Sequence, residues 1–293
     1  MHRFYLPPSD WHPAALRLTG PEAHHARNVL RLEPGAKAVL FDGRGRERTA
    51  EVTAVSNREI TFRTLHETTT APLPCRITLG QAIPKGKNMD AIVQKAVELG
   101  AAEIVPILSA RTVVRIDPAD AAQKQAKWQT IAIEAAKQCG QNWLPEIHPP
   151  RSLADFFKPA HAPSLVATSL WDVPPHAPPR DSSPSVARTP HPGSTSHSDV
   201  ATGWDLKLIG SLQPDALHLK TILAEDRAAH GDRARPASVL MLIGPEGDFT
   251  PAELNLARAE GCRPITLGPI ILRVETAAIY CLSVLSHELI ADC

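Results

Sequence analysis

The chain has 293 residues, of which 43% are hydrophobic and 21% charged, and this composition excludes a disordered or fibrous protein. The length allows one large or two ordinary domains, each with its own core. The formal net charge of zero offers no global signature of nucleic-acid binding, but residues 1–150 carry 19 Lys and Arg against 15 Asp and Glu, so that half has a charge of +4 and the remainder −4.

The first 70 residues have a β-like pattern. The segment AVLF at 38–41 leads through Asp42-Gly43-Arg44-Gly45, a hairpin signal, into the alternating strand RTAEVTAV. A third strand is predicted at EITFRTL, and the stretch before the hairpin, residues 21–35, is predicted to form a short helix. These elements predict a small β-barrel or sheet domain with one helix over residues 1–72, ended by a linker at 68–74.

From residue 75 onward strands and helices alternate. A strand is predicted at 76–83, then a helix whose apolar face is marked by Met89, Ile92, Val93, Ala96 and Val97, then a strand at AEIVPIL and a helix over 119–139. This order predicts a parallel sheet with right-handed crossovers. Residues 172–203 hold seven Pro and six Ser but no Leu, Ile, Phe or Met, which predicts a flexible surface insertion.

The last 90 residues resume the alternation. Strands are predicted at 206–212, 239–243 and 265–267, and a helix at 217–223. Thr250 to Glu253 form a capping-box signature that opens a further helix. The final helix, 276–290, is apolar on more than one side, and a subunit interface is one explanation.

Cysteine and histidine usage predicts neither a disulfide framework nor a metal site. The five cysteines are scattered without a C-x-x-C pair, and His24-His25 lacks a third ligand at a suitable spacing. Neither a signal peptide nor a membrane-spanning apolar run is evident in the sequence. A cytoplasmic protein with no metal and no membrane partner is expected.

Common nucleotide-binding motifs do not fit. Gly80 to Lys87 resembles a P-loop, but five residues separate its glycines and Asn88 replaces the Ser or Thr that would hold magnesium. No G-x-G-x-x-G follows a strand, so a dinucleotide-binding fold is unsupported. Lys85 and Lys87, at a helix N-terminus, would either meet an RNA phosphate or form a basic turn in solvent.

Two successive strands end in loops of the same unusual kind, LIGPEGDF at 242–249 and LGPIILRVET at 267–276. Glycine permits close backbone approach and proline fixes the loop, so backbone groups can hold a purine and a ribose rigidly. In open α/β sheets the ligand crevice lies at such strand ends. Arg273 and Glu275 stand beside these loops, at the entry to the last helix.

These motifs, in this order, resemble the ribosomal RNA small-subunit methyltransferase E family of the SPOUT class. The similarity covers nearly the whole chain, from HRFYL through the H-x-x-x-V-L-R-L-x-P-G stretch at 25–35, PKG, VELGAAEIVPIL and EAAKQCGQ to IGPEG, LGP and ILR. The resemblance implies a PUA-like domain at 1–72, a SPOUT methyltransferase domain at 75–293 with a C-terminal trefoil knot, S-adenosylmethionine as cofactor, and a homodimer. The implied reaction is methylation of uridine N3 in 16S ribosomal RNA of the small ribosomal subunit.

The resemblance and the loops together predict three groups of site residues. We expect Arg273 to stabilise the uracil anion and Glu275 to orient Arg273 or to help remove the proton. The cofactor is expected at Ile243, Gly244, Pro245, Glu246, Gly247, Leu267, Gly268, Pro269, Ile271 and Leu272. RNA is expected at Arg27, Arg31, Arg44, Arg46, Arg48 and Lys85.

Four residues depart from the family pattern. Asp248 stands where a second glycine is usual, Gln141 and Ile270 stand where arginines are common, and Val274 replaces a usual threonine. Two alternatives therefore stay open: methylation of another RNA position such as a ribose 2′-O, and a non-catalytic RNA-binding or ribosome-assembly protein. A P-loop NTPase is a more distant third.

Overall fold

The computed structural model describes residues 1–12, 16–112, 116–158, 203–230 and 235–291. Apart from Gly203, the insertion predicted at 172–203 lies outside the described residues. None of the helices in the described ranges is long and apolar enough to cross a membrane.

The N-terminal region is a five-stranded sheet with the order β1-β3-β4-β5-β2. Its strands are β1 (His2–Tyr5), β2 (Leu16–Thr19), β3 (Lys37–Phe41), β4 (Arg46–Val55) and β5 (Glu59–Thr69). All neighbours are antiparallel except β1 and β3, and two register shifts between β4 and β5 bend the sheet around its core. Alternate residues of the strands, such as Leu16 and Leu18, fill this core. Because β5 continues to Thr69, the linker begins two residues later than predicted.

The helix predicted over 21–35 changes type part of the way along. Helix α1 (Gly20–His24) is followed by a π-helical turn over His25–Val29, in which the Leu30 amide donates to the His25 carbonyl at 3.1 Å. Arg31 then adopts a left-handed backbone with φ of 51°. Sequence periodicity does not distinguish such a turn from a regular helix, because it inserts only one residue into the repeat.

The second sheet has eight strands, and every pairing in it is parallel, as the βαβ order predicted. The strand order is β11-β13-β10-β12-β6-β7-β8, with β9 also paired to β7. The strands are β6 (Arg76–Ala82), β7 (Ala101–Leu108), β8 (Glu146–Ile147), β9 (Arg151–Ser152), β10 (Leu206–Gly210), β11 (Leu217–His218), β12 (Ser238–Ile243) and β13 (Arg263–Thr266).

In the described ranges five helices connect these strands, namely α2 (Asn88–Glu98), α3 (Pro118–Cys139), α4 (Leu153–Phe157), α5 (Leu219–His230) and α6 (Pro251–Ala259), and α7 (Val274–Leu289) follows the last strand. The five apolar residues predicted on one face of α2 are all buried. The helix predicted at 217–223 was wrong at both ends. Its first two residues form the edge strand β11, and the helix continues seven residues further, to His230.

The β3–β4 hairpin ties the two sheets together. Buried Asp42 accepts the amides of Arg44 and Arg46, and the hairpin tip pairs with the segment after α3. The Gly45 amide donates to the Asn142 carbonyl at 3.0 Å, the Leu144 amide donates to the Gly43 carbonyl at 3.0 Å, and the Trp143 indole donates to the Thr70 carbonyl at 2.9 Å. The hairpin tip is therefore an interdomain contact.

Gly45 is required at this contact for two reasons. Its φ of +89° favours glycine, and a Cβ atom there would lie 2.6 Å from the Thr70 carbonyl oxygen and 2.8 Å from the Trp143 ring. Gly35 has the same φ of +89° with no atom within 4 Å of the Cβ position. Comparing substitutions at the two glycines therefore distinguishes the effect of backbone strain from that of close packing.

We expect Gly45→Ala to lower the free energy of unfolding by about 2–4 kcal/mol, because steric overlap adds to the cost of the left-handed backbone. Gly35→Ala, the matched control, should cost about 1–2 kcal/mol, from backbone strain alone. Urea unfolding of the two variants measures the difference. Equal losses would contradict the close approach at Gly45.

Candidate active site

A cavity of about 470 Å³ lies at the carboxyl ends of β10, β12 and β13. This volume is in the range of small-molecule and cofactor sites. The loops after the three strands form its walls, and the first turn of α7 and Asn88 complete it. Nine of the ten residues predicted to bind the cofactor line the cavity, and Pro269 is the exception. Arg273 and Glu275 also line it.

The loop after β12 folds as a tight turn. The Asp248 amide donates to the Pro245 carbonyl at 3.0 Å, and Gly247 has a φ of +89°. A Cβ on Gly244 would lie 3.1 Å from the Phe249 amide, so glycine lets the turn fold back on itself. Phe249 is buried and anchors the end of the loop in the core. The loop thus presents backbone groups to the cavity.

Three carboxylates connect this loop and the start of α6 to three neighbouring loops. Glu246 accepts the Lys85 amide at 3.1 Å, Asp248 accepts the Leu212 amide at 3.0 Å, and Glu253 accepts the Ala110 amide at 2.8 Å. The donors follow β6, β10 and β7, which all run parallel to β12 in the same sheet. Charge-assisted hydrogen bonds of this kind are stronger than neutral ones. The strand-end loops are therefore held as one rim.

Glu253 makes the largest number of these contacts. It also accepts the Thr250 amide at 2.9 Å, the Thr250 hydroxyl at 2.8 Å and the Ser109 hydroxyl at 3.1 Å, which completes the predicted capping box. Partial burial raises the pKa of Glu253, but the hydrogen bonds from Thr250, Ala110 and Ser109 outweigh it, so the pKa is lowered from its usual value. The carboxylate form is the stable one.

Arg273 is the exposed N-cap residue of α7, and its carbonyl accepts the Ala277 amide at 2.8 Å. Glu275 accepts a hydrogen bond from the side-chain amide of Asn88 at 3.2 Å. Within the described part of the chain, no hydrogen bond or ion pair joins Glu275 to Arg273. The predicted role of Glu275 in orienting Arg273 therefore has no contact to support it.

The residues predicted to contact RNA differ in their availability. Arg31, Arg44 and Lys85 are exposed. Arg27 is half-buried and donates to the Ser56 carbonyl and to the Asn57 side chain, each at 3.2 Å.

Arg46 and Arg48 are both paired with carboxylates, although the Arg46 side chain is 41% exposed. The Arg46 guanidinium pairs with Asp42 at 2.6 Å and lies 5.2 Å from the Trp11 ring centroid. Arg48 is buried, pairs with Glu67 at 3.0 Å and lies 5.1 Å from the same ring. Arg48 is thus not available to a phosphate at the surface, because its side chain is buried against Trp11.

Several residues that line the cavity were not predicted. They include Asn88, which entered the sequence argument only as a departure from the P-loop pattern, and Leu212 and Asp248. Asn88 and Leu212 follow other strands of the sheet, so no local motif connects them to the two Gly-Pro loops. The position of Leu212 at the end of a predicted strand was the available signal.

The chain matches known proteins over nearly its full length. It matches RNA methyltransferase domains over residues 71–169 and 207–286 and RNA methyltransferase PUA domains over 18–65. A ribosomal RNA small subunit methyltransferase E from Bacillus subtilis is 27% identical over 272 residues, covering 92% of this chain and 89% of that protein.

Two solved structures share the fold. The ribosomal RNA small subunit methyltransferase E from Neisseria gonorrhoeae, bound to S-adenosyl methionine, is 30% identical, with a TM-score of 0.72 and 98% of each chain covered. A protein from Legionella pneumophila, solved with SAM as its bound cofactor, is also 30% identical, with a TM-score of 0.73 and coverage of 98% of this chain and 97% of that one.

We expect Glu253→Gln to lower the free energy of unfolding at pH 7 by about 1–3 kcal/mol, because an NH₂ group then faces hydrogen-bond donors. Since the folded-state pKa is lowered, the carboxylate stabilises the protein above the unfolded value of about 4.3. That stabilisation is lost as the pH falls through the folded value. Urea unfolding should therefore show the gap between wild type and variant narrowing below about pH 4. The control is Glu260→Gln, at the exposed end of the same helix, and a pH-independent gap would contradict the role of the charge.

Proposed function

The chain belongs to the ribosomal RNA small subunit methyltransferase E family, as its sequence motifs predicted, and we propose that it methylates N3 of a uridine in 16S ribosomal RNA with S-adenosylmethionine as donor. The observation that carries the proposal is the cavity between two Gly-Pro loops with Arg273 on its edge. We propose S-adenosylmethionine as the cofactor because two structural relatives were solved with it bound.

The cavity suits S-adenosylmethionine in size and in chemistry. Apolar side chains such as Ile243, Leu267 and Leu272 can cover the adenine, while the backbone of the Gly244–Gly247 turn and of Gly268 offers hydrogen bonds to the base, ribose and amino-acid part. The bound cofactor supplies the methyl group. The protein holds the acceptor nitrogen in line with it, and such orientation supplies several kcal/mol of the barrier.

Loss of the N3 proton leaves a negative charge on uracil that spreads to its carbonyl oxygens. Arg273 is exposed at the cavity edge, and its guanidinium carries five N–H donors that can face those oxygens. We assign it to stabilise the uracil anion. For Glu275 the role of proton acceptor is favoured over that of orienting Arg273, because its contact is with Asn88.

N3 lies on the base-pairing edge of uracil, so the target nucleotide must be unpaired or flipped out. We propose residues 1–72 as the RNA-docking domain and 75–293 as the SPOUT methyltransferase domain, with a C-terminal trefoil knot. Exposed Arg31 and Arg44 are the best placed for phosphate contacts. We also propose a homodimer, supported by Ile270 and Ile271, which are 73% and 76% exposed at the cavity.

Nucleoside mass spectrometry tests reaction and substrate together. In a strain lacking the gene, we expect N3-methyluridine to be missing from 16S rRNA and to return with the wild-type gene. Loss of a ribose-methylated nucleoside in its place would show the alternative target. Unchanged rRNA, together with no binding of S-adenosylmethionine in calorimetry, would favour the non-catalytic alternative.

We expect Arg273→Ala to lower kcat by about 10²–10³, because a donor to the developing anion is lost, with the Kd for S-adenosylmethionine changed by less than about threefold. Single-turnover methylation of 16S rRNA and calorimetry provide the two values. Arg263→Ala removes an arginine paired with Glu225 outside the cavity and is the matched control. Full turnover by Arg273→Ala would reject the assignment.

A further inference from the structure

Asp248 occupies a backbone conformation that favours glycine. Its φ is +70°, and within the described ranges the only other non-glycine residue with positive φ is Arg31. Such a conformation is unfavourable for a residue that has a Cβ atom, although Asp is among the residues that tolerate it best. A side chain kept at this position must therefore make contacts that glycine cannot.

Both carboxylate oxygens of Asp248 accept a backbone amide. Oδ1 accepts the Phe249 amide at 2.7 Å, which closes the turn locally. Oδ2 accepts the Leu212 amide at 3.0 Å, across 36 residues of sequence. The negatively charged carboxylate of Asp248 thus faces two amide donors.

The second bond joins two walls of the cavity. Gly210 at the end of β10, with Ser211 and Leu212 after it, forms one wall, and Gly244 to Asp248 form the wall after β12. The Leu212 side chain is 60% exposed, so little packing fixes its position. Within the described residues, the bond to Asp248 is the contact that sets the Leu212 backbone against the Gly-Pro turn.

We propose that Asp248 is a positioning residue that holds the Leu212 wall against the Gly-Pro turn and thereby tightens binding of S-adenosylmethionine without taking part in methyl transfer. This inference rests on the proposed function of the cavity. Glycine at this position would relieve the backbone strain but would leave the Leu212 amide without its acceptor. Asparagine would keep the backbone preference but offers one acceptor for two donors.

Amide hydrogen exchange of the full-length protein without cofactor tests the bond between the Leu212 amide and Asp248 directly. We expect the Leu212 amide to exchange faster in both Asp248→Asn and Asp248→Gly than in wild type. Calorimetry should show the Kd for S-adenosylmethionine raised about tenfold, since a hydrogen bond to a charged group is lost. In methylation assays KM for the cofactor should rise in parallel, while kcat changes less than about threefold.

The matched control is Asp215→Asn, which removes the same charge three residues beyond Leu212 from an aspartate that pairs with Arg258 outside the cavity. Its Leu212 exchange and Kd should equal those of wild type. Wild-type affinity in both Asp248 variants would overturn the inference, as would weaker binding with unchanged Leu212 exchange, because the charge alone would then be responsible. Failure of the wild-type protein itself to bind S-adenosylmethionine would instead refute the proposed function.

Discussion

The arrangement of the site depends on hydrogen bonds from backbone amides to carboxylates at the ends of parallel strands. A parallel sheet leaves each strand followed by a loop whose amides have no partner within the sheet, and these loops have no regular structure to fix them. Glu246, Asp248 and Glu253 each satisfy one such amide on a different neighbouring loop. Because the acceptors all follow the central strand β12, one segment of the chain sets the positions of the loops around it. The cavity is defined by this bonding as much as by the side chains that line it.

This arrangement explains which parts of the site were predictable. The Gly-Pro loops are local motifs next to strongly apolar strands, so their place in the site could be predicted from a few adjacent residues. The bonds that join the loop after β12 and the start of α6 to other loops span 161, 143 and 36 residues, and no spacing rule relates their partners. Asn88 and Leu212 were missed for the same reason. The parallel order of the larger sheet was predictable because alternation of strands and helices restricts it.

In the N-terminal sheet, the contacts of single side chains were harder to predict than the strands. Three of its five strands and the hairpin follow from alternation and turn residues, whereas β1 and β2 were not predicted. The contacts of its arginines do not follow from their number. Arg46 and Arg48 lie two residues apart on the same face of β4, where the strand runs past Trp11. Arg48 is buried and paired with Glu67, whereas Arg46 is paired with Asp42 and its side chain is 41% exposed. A count of basic residues therefore overestimates the charge that the domain presents. The hairpin predicted to face RNA is itself anchored through its backbone to the segment after α3.

That anchoring has a consequence for the order of folding during synthesis. The hairpin tip at Gly43 and Gly45 leaves the ribosome well before its partners Asn142 and Leu144. About 100 further residues must be added in between, which at roughly 5–20 residues per second takes roughly 5–20 s. Local strand pairing is complete in microseconds. The N-terminal sheet is therefore formed for most of that time before the segment after α3 is available to pair with it. Until those partners emerge, the Gly45 amide and the Gly43 carbonyl lack them, whereas the Arg44 and Arg46 amides are already paired with Asp42. During that time the hairpin tip is an unpaired edge at which the nascent chain can pair wrongly.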